Sequence, residues 1–243
     1  MLILHVDSEN VQRDELKHLP TPPATDTWQP VGHEQFDGLV RDSLTQAGIH
    51  VTQSCYGLSR PTEEGYRHRL FAVLETQDRI LEGQVGLTIG LRNSTDQSMS
   101  AGLVYGNHVF VCDNLAFAGE YVIRRRHTAR ILEDLPSLID RGIGKYFEQV
   151  ERQRILIERL QDRQLNDREA YHAMVSAAAR NIIPYSGIKA VRREWHRPTH
   201  DAFAPRTGWS LYNCFTETMK RYLPSAAADR TLRLTGFFQR LVN

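Results

Sequence analysis

The sequence predicts an α+β fold, with an antiparallel sheet of four to six strands packed against long amphipathic helices. Two observations predict it. Between residues 49 and 113 short apolar runs alternate with period two and follow each other closely, joined by turns too short to carry crossover helices. From residue 128 to 223 the apolar residues recur instead at helical spacing. A chain of 243 residues with 41% hydrophobic side chains can bury a core without disulfides or metals. Residues 1–32 read as an irregular N-terminal arm and 33–243 as a single α+β domain, sheet-rich over 49–113 and helix-rich over 128–223.

The elements follow in chain order. Pro20, Pro22, Pro23 and Pro30 remove backbone donors and fix φ, so the arm is expected to be extended after a short strand or turn. Phe36, Leu39, Val40 and Leu44 mark a first helix from Glu34 to Ala47, and Gly48 ends it where positive φ is useful. Ile49–Gly57 and Tyr66–Leu74 read as strands. Val85, Leu87, Ile89 and Leu91 line one side of a third. Ala101–Tyr105 and His108–Cys112 are expected to pair as a hairpin about Gly106-Asn107. Thr128 is the expected N-cap of a helix carrying Ile131, Leu135, Leu138 and Ile139, with a break near Pro136. Asn166 with Glu169 matches a capping box. A further helix is expected from Gly208 to Tyr222, stopped by Pro224.

Composition narrows the function classes little. Thirty basic side chains oppose twenty-nine acidic ones, so only local clusters can attract a polyanion. Cys55, Cys112 and Cys214 have no paired spacing and read as reduced thiols. No run approaches the about 20 apolar residues of a membrane helix, and Met1–Asp7 has no basic flank before its short apolar stretch. The expectation is a cytoplasmic protein with no membrane partner.

The sharpest charge run is Arg124, Arg125, Arg126, His127 and Thr128, with Arg130 behind it. Guanidinium forks suit phosphate oxygens, and a helix N-terminus adds free N–H groups to the same anion. The competing reading is a solvated turn, or arginines paired with the carboxylates of the next helix. A second basic stretch holds Arg192, Arg193 and Arg197 around Trp195. Cations interleaved with aromatic rings suit a single strand, whose bases would stack on Trp195 or Tyr212. The plainer reading makes both rings packing residues. Asn213 and Glu217 lie four apart on one helix face, and are expected either to close a polar cleft with His127 and Thr128 or to tie helix to sheet.

Catalytic motifs are missing. The glycines at 83, 86 and 90 lack a P-loop ending, no nucleophile elbow surrounds Ser54, and Pro198 separates His196 from His200. No metal site, cofactor or catalytic residue is assigned.

Two segments resemble a phage- and plasmid-borne family of uncharacterised proteins. One is Gly102–Leu115 leading into Arg-Arg-Arg-His-Thr128; the other is Gly208-Trp-Ser-Leu-Tyr-Asn-Cys-Phe-Thr-Glu217. In that family a strand ending in a Cys/Ser-Asn pair precedes a basic His-Thr element and a long helix; here Asp113 intervenes between Cys112 and Asn114. The resemblance covers most of residues 80–220 and implies mobile-element biology, not an activity. The leading expectation is an accessory protein that binds nucleic acid without catalysis, single-stranded DNA ahead of duplex, in replication or recombination. One rival is an interaction module acting on a host protein, with a homo-oligomer compatible with its amphipathic helices. The other is a metal-dependent nuclease or another phosphate-directed enzyme.

Overall fold

The computed structural model describes residues 8–80, 83, 85–109, 114–220 and 224–242. Its sheet is an up-and-down arrangement of β1 (Ser8–Val11), β2 (Val51–Ser59), β3 (Arg69–Ile80), β4 (Val85–Ser94), β5 (Ala101–Val109) and β6 (Asn114–Arg125), in that spatial order. The expected α+β class with an antiparallel sheet is what the chain adopts. Ser8 pairs with Ser59 and Leu58 with Leu70, and a bulge between Val51 and Gln53 shifts the β2–β3 register. The helices are α1 (His33–Gln46), α2 (Ile131–Ile143), α3 (Tyr146–Asp162), α4 (Asp167–Ala179), α5 (Ile188–His196), α6 (Gly208–Met219) and α7 (Pro224–Val242). Among the described residues no helix is long and apolar enough to cross a membrane.

The chain divides into two compact units. Met1–Asp78, Leu87–Tyr105 and Glu120–Gln149 form the first; Arg79–Gly86, Gly106–Gly119 and Val150–Asn243 form the second. In the first unit Phe36, Val40 and Leu44 of α1 are buried, and Gly48 takes φ +71° just beyond the helix end, as its position suggested. The buried Asp37 carboxylate receives Arg13, Arg41 and the Tyr56 hydroxyl, joining the turn after β1, α1 and β2. A Cβ on Gly142 would lie 3.0 Å from Ile123, so α2 rests closely on β6 there, and the Tyr105 hydroxyl donates to the Gly142 carbonyl at 2.7 Å.

The second unit holds a tight aromatic cluster. Trp209 stacks on Tyr212, while Tyr212, Phe215 and Phe237 each meet Phe238 edge-on. Asn166 and Glu169 form the expected capping box of α4. Thr207 caps α6 by accepting from the Ser210 N–H at 3.1 Å.

Four local expectations are corrected. Gly106-Asn107 is not a hairpin tip: both residues lie inside β5, and the Asn107 amide donates to Gln153 at 2.8 Å. That distant partner holds the strand through a dipeptide which, read locally, signals a turn. Thr128 does not cap α2, whose N-cap is Arg130; Thr128 instead pairs with Trp28 as an isolated β-bridge. Pro136 lies inside α2, and the break falls after Ile143, where Gly144 and Lys145 separate α2 from α3. The helix expected to Tyr222 ends at Met219, and Pro224 opens α7 instead of stopping α6. Cys112, Asp113 and Tyr222 lie outside the described residues.

Candidate functional site

Beyond β6 the chain needs five residues to reach α2, and these carry the basic His-Thr element. Strand alternation sets their exposure: Ile123 is buried, Arg124 exposed and Arg125 half-buried. Arg126 and Thr128 are exposed, while His127 between them turns inward at 6% exposure. A tight turn follows, with the Thr128 N–H donating to the Arg126 carbonyl at 2.9 Å. The proline-bearing arm docks here: Trp28 bridges to Thr128, and the Gln29 N–H donates to the His127 carbonyl.

This docking borders an open pocket of about 530 Å³ within the first unit. Arg92 enters from β4, Arg124, Arg126 and His127 from the segment after Ile123, and Thr27 and Trp28 from the arm. The remaining wall is the loop from Gln97 to Ser100. An Asp96 carboxylate bond to the Ser98 N–H and reciprocal bonding of Ser94 Oγ with Met99 shape that loop, where Gln97 adopts φ 64°. A neighbouring pocket of about 580 Å³ shares Thr27 and Thr128 and is lined also by Arg125, Arg130 and Asp134.

The arginines of the run divide by partner. Arg125 pairs with Asp134 at 2.7 Å and Arg130 with Glu133 at 2.8 Å, so the competing sequence reading holds for these two. Arg124 and Arg126 have no ion-pair partner among the described residues. They leave two guanidinium charges at the first pocket.

Two neutral groups complete it. Among the described residues neither ring nitrogen of His127 makes a well-formed hydrogen bond, although the Gln29 backbone lies near enough to influence the ring, and the indole N–H of Trp28 is buried without a partner. Buried polar atoms without partners are uncommon, and each costs about 1–3 kcal/mol. Burial pushes the His127 imidazole below its ordinary pKa, the Gln29 backbone opposes this, and nearby Arg125 adds to it. The ring is therefore neutral near pH 7, with one N–H donor and one lone pair.

Behind the pocket, His33 is fixed in one tautomer. Its Nε2–H donates to the Arg67 carbonyl at 2.8 Å, and its Nδ1 accepts from the Asn93 amide at 3.1 Å. The same amide donates to the Val31 carbonyl at 2.8 Å, tying the arm to β4 one residue from Arg92. Burial pushes the His33 pKa down to about 4.

The second basic stretch lies wholly in the second unit and is arranged differently. The Arg192 guanidinium sits 5.3 Å from the centre of the Tyr171 ring. Arg193 and Arg197 are exposed without ion-pair partners among the described residues. Trp195 is buried at 3% exposure; its Nε1–H donates to Asp167 at 2.9 Å, and Arg206 covers its ring at 4.6 Å. Tyr212 is equally buried, and its hydroxyl bonds Thr235 at 2.9 Å. Neither ring presents a free face, which corrects the stacking expectation. Packing within the helical unit claimed both.

The polar-cleft residues are divided between the units. His127 and Thr128 line the pocket of the first. In the second, the Asn213 amide donates to the Trp209 carbonyl at 3.0 Å, and Glu217 pairs with Lys220 at 2.7 Å. Among the described residues no three His, Cys, Asp or Glu side chains converge on a metal position. Sequence reading missed Arg92 and Trp28. The signal for Trp28 was a lone indole in a proline-rich arm, and for Arg92 a charge at the end of an apolar strand.

A family described as a domain of unknown function, DUF932, has a model that matches residues 25–236 of the chain. No curated protein and no solved structure matches it.

Proposed function

The chain belongs to the DUF932 family, and from its geometry we propose that it binds nucleic acid through phosphate, with the arginine-lined pocket as the principal contact. One observation carries this reading. Arg124 and Arg126 face the pocket beside Arg92 without acidic partners among the described residues, while Arg125 and Arg130 are neutralised next to them. With 30 basic against 29 acidic residues, this local imbalance is where a polyanion gains most. Single strands are favoured over duplex. A flexible backbone bends a phosphate into a concave site, whereas a duplex is stiff over about 50 nm. Arg193 and Arg197 offer further, exposed phosphate contacts. The resemblance to phage- and plasmid-borne proteins suits a role in their replication or recombination.

Fluorescence anisotropy with a labelled single-stranded oligonucleotide tests the reading. Binding should weaken steeply as salt rises, and the Arg124→Gln/Arg126→Gln double variant should reduce the slope of log K against log salt by about 1.4, at about 0.7 per phosphate contact. Absence of binding at low salt would eliminate the proposal.

A host-protein partner is the second reading, supported by Phe147, which is 59% exposed in the first turn of α3. Capture of a host protein that survives nuclease treatment and is lost in Phe147→Ser would favour it.

A further inference from the structure

We infer that the pocket seats a phosphate monoester: the phosphorylated end of a nucleic-acid strand or a mononucleotide, as opposed to a phosphodiester within a chain. The inference rests on the reading of the pocket as a phosphate site and specifies its ligand.

Charge is the first argument. A monoester carries about −2 near neutral pH and offers three terminal oxygens. Arg124 and Arg126 supply two positive charges without acidic partners among the described residues. A diester has a single charge and two free oxygens, and would leave one guanidinium unmatched.

Depth is the second. His127 is only 6% exposed, yet it lines the pocket, and among the described residues neither its ring nitrogens nor the indole N–H of Trp28 makes a well-formed hydrogen bond. A phosphate group must enter the pocket to meet these atoms. A terminal phosphate has substituents on one side only and can do so; a mid-chain phosphate is flanked by sugars on both sides and is held at the rim. Hydrogen-bond donors are the third. A neutral imidazole donates one N–H and the Trp28 indole a second, and the three terminal oxygens of a monoester can accept both together with the guanidinium forks. A diester, with two free oxygens, has fewer acceptors to share among them.

The test compares one oligonucleotide sequence bearing a 5′-phosphate, a 3′-phosphate or hydroxyls at both ends, with a nucleoside monophosphate and inorganic phosphate as competitors. A phosphorylated end should tighten binding about tenfold, equivalent to about 1.4 kcal/mol. The preference should shrink in Trp28→Phe, which keeps the ring but removes the donor, and in the exposed Arg126→Gln. Imidazole nitrogen shifts of His127, followed by NMR as nucleoside monophosphate is added, report occupancy without any substitution. Equal affinity for all three oligonucleotides, together with unchanged His127 shifts, would overturn the monoester inference while leaving phosphate-directed binding intact. Binding of the nucleoside monophosphate without binding of any oligonucleotide would support the monoester pocket and overturn the nucleic-acid reading. Failure of every phosphate ligand to bind would overturn both.

Discussion

The two basic segments look alike in sequence, yet they differ in what their polar atoms do. Around Trp195 the buried groups are engaged, and only the exposed Arg193 and Arg197 have no ion-pair partner among the described residues: the indole donates to Asp167, Arg206 lies over the ring, and Glu194 accepts both the N–H and the hydroxyl of Thr199. Around His127 the balance differs: among the described residues an imidazole and an indole make no well-formed hydrogen bond, and Arg124 and Arg126 have no ion-pair partner. A basic segment serves as scaffold when its neighbours saturate it, and keeps its charge available to an anion when they do not. Counting cations along the chain does not distinguish the two.

The largest expected effect probes the saturated side. Trp195→Ala removes a buried indole and should cost about 3–5 kcal/mol of unfolding free energy in urea denaturation, through cavity formation and the stranded Asp167 and Arg206. A loss below about 1 kcal/mol would mean that the ring is not the packing element described here.

Acid should next strain the first unit. His33 has its pKa lowered to about 4 in the fold against 6.5 for a free imidazole. The unfolded chain therefore binds the extra proton first. The stability from the neutral His33 is fully present above about pH 6.5 and is lost progressively as pH falls toward about 4. The expected loss is about 3 kcal/mol. His127 is shifted in the same direction. His33→Gln should flatten the acid limb of a stability–pH curve; an unchanged limb would assign it to other groups.

Affinity and stability should separate at the pocket. Arg126→Gln should weaken oligonucleotide binding about tenfold, or about 1.4 kcal/mol, while shifting unfolding by no more than about 0.5 kcal/mol, as expected for an exposed side chain. If Arg193→Gln weakened binding more than Arg126→Gln, the comparison between the two segments would be reversed. The smallest effect lies at a helix end. Thr207→Ala should cost about 1 kcal/mol by freeing the Ser210 N–H, read by thermal denaturation, and leave binding unchanged.

Local signals carried much of the architecture. Period-two runs located β2, β3 and β4, and Asn166 with Glu169 marked the start of α4, because the partners in each case lie a few residues apart. The errors came where a distant partner overrides local preference. Asn107 continues a strand because Gln153 holds its amide, and Thr128 bridges to Trp28 instead of capping α2. For the site, the arginine run was visible as charge. Its division into paired and unpaired members depended on Asp134 and Glu133, and the part played by Trp28 on how the arm docks. The burial of Trp195 was invisible for the same reason, since Asp167 and Arg206 reach it from outside α5.

The bridge between Trp28 and Thr128 joins positions one hundred residues apart. Closing so long a loop carries an entropic cost that rises only slowly with length, but contacts of such separation form late in folding. A nascent chain therefore exposes its basic turn before the arm can settle on it, and the pocket is assembled only when the tertiary structure is nearly complete. Burial of the Trp28 indole should accordingly appear as one of the last events of refolding, after the helical signal has recovered.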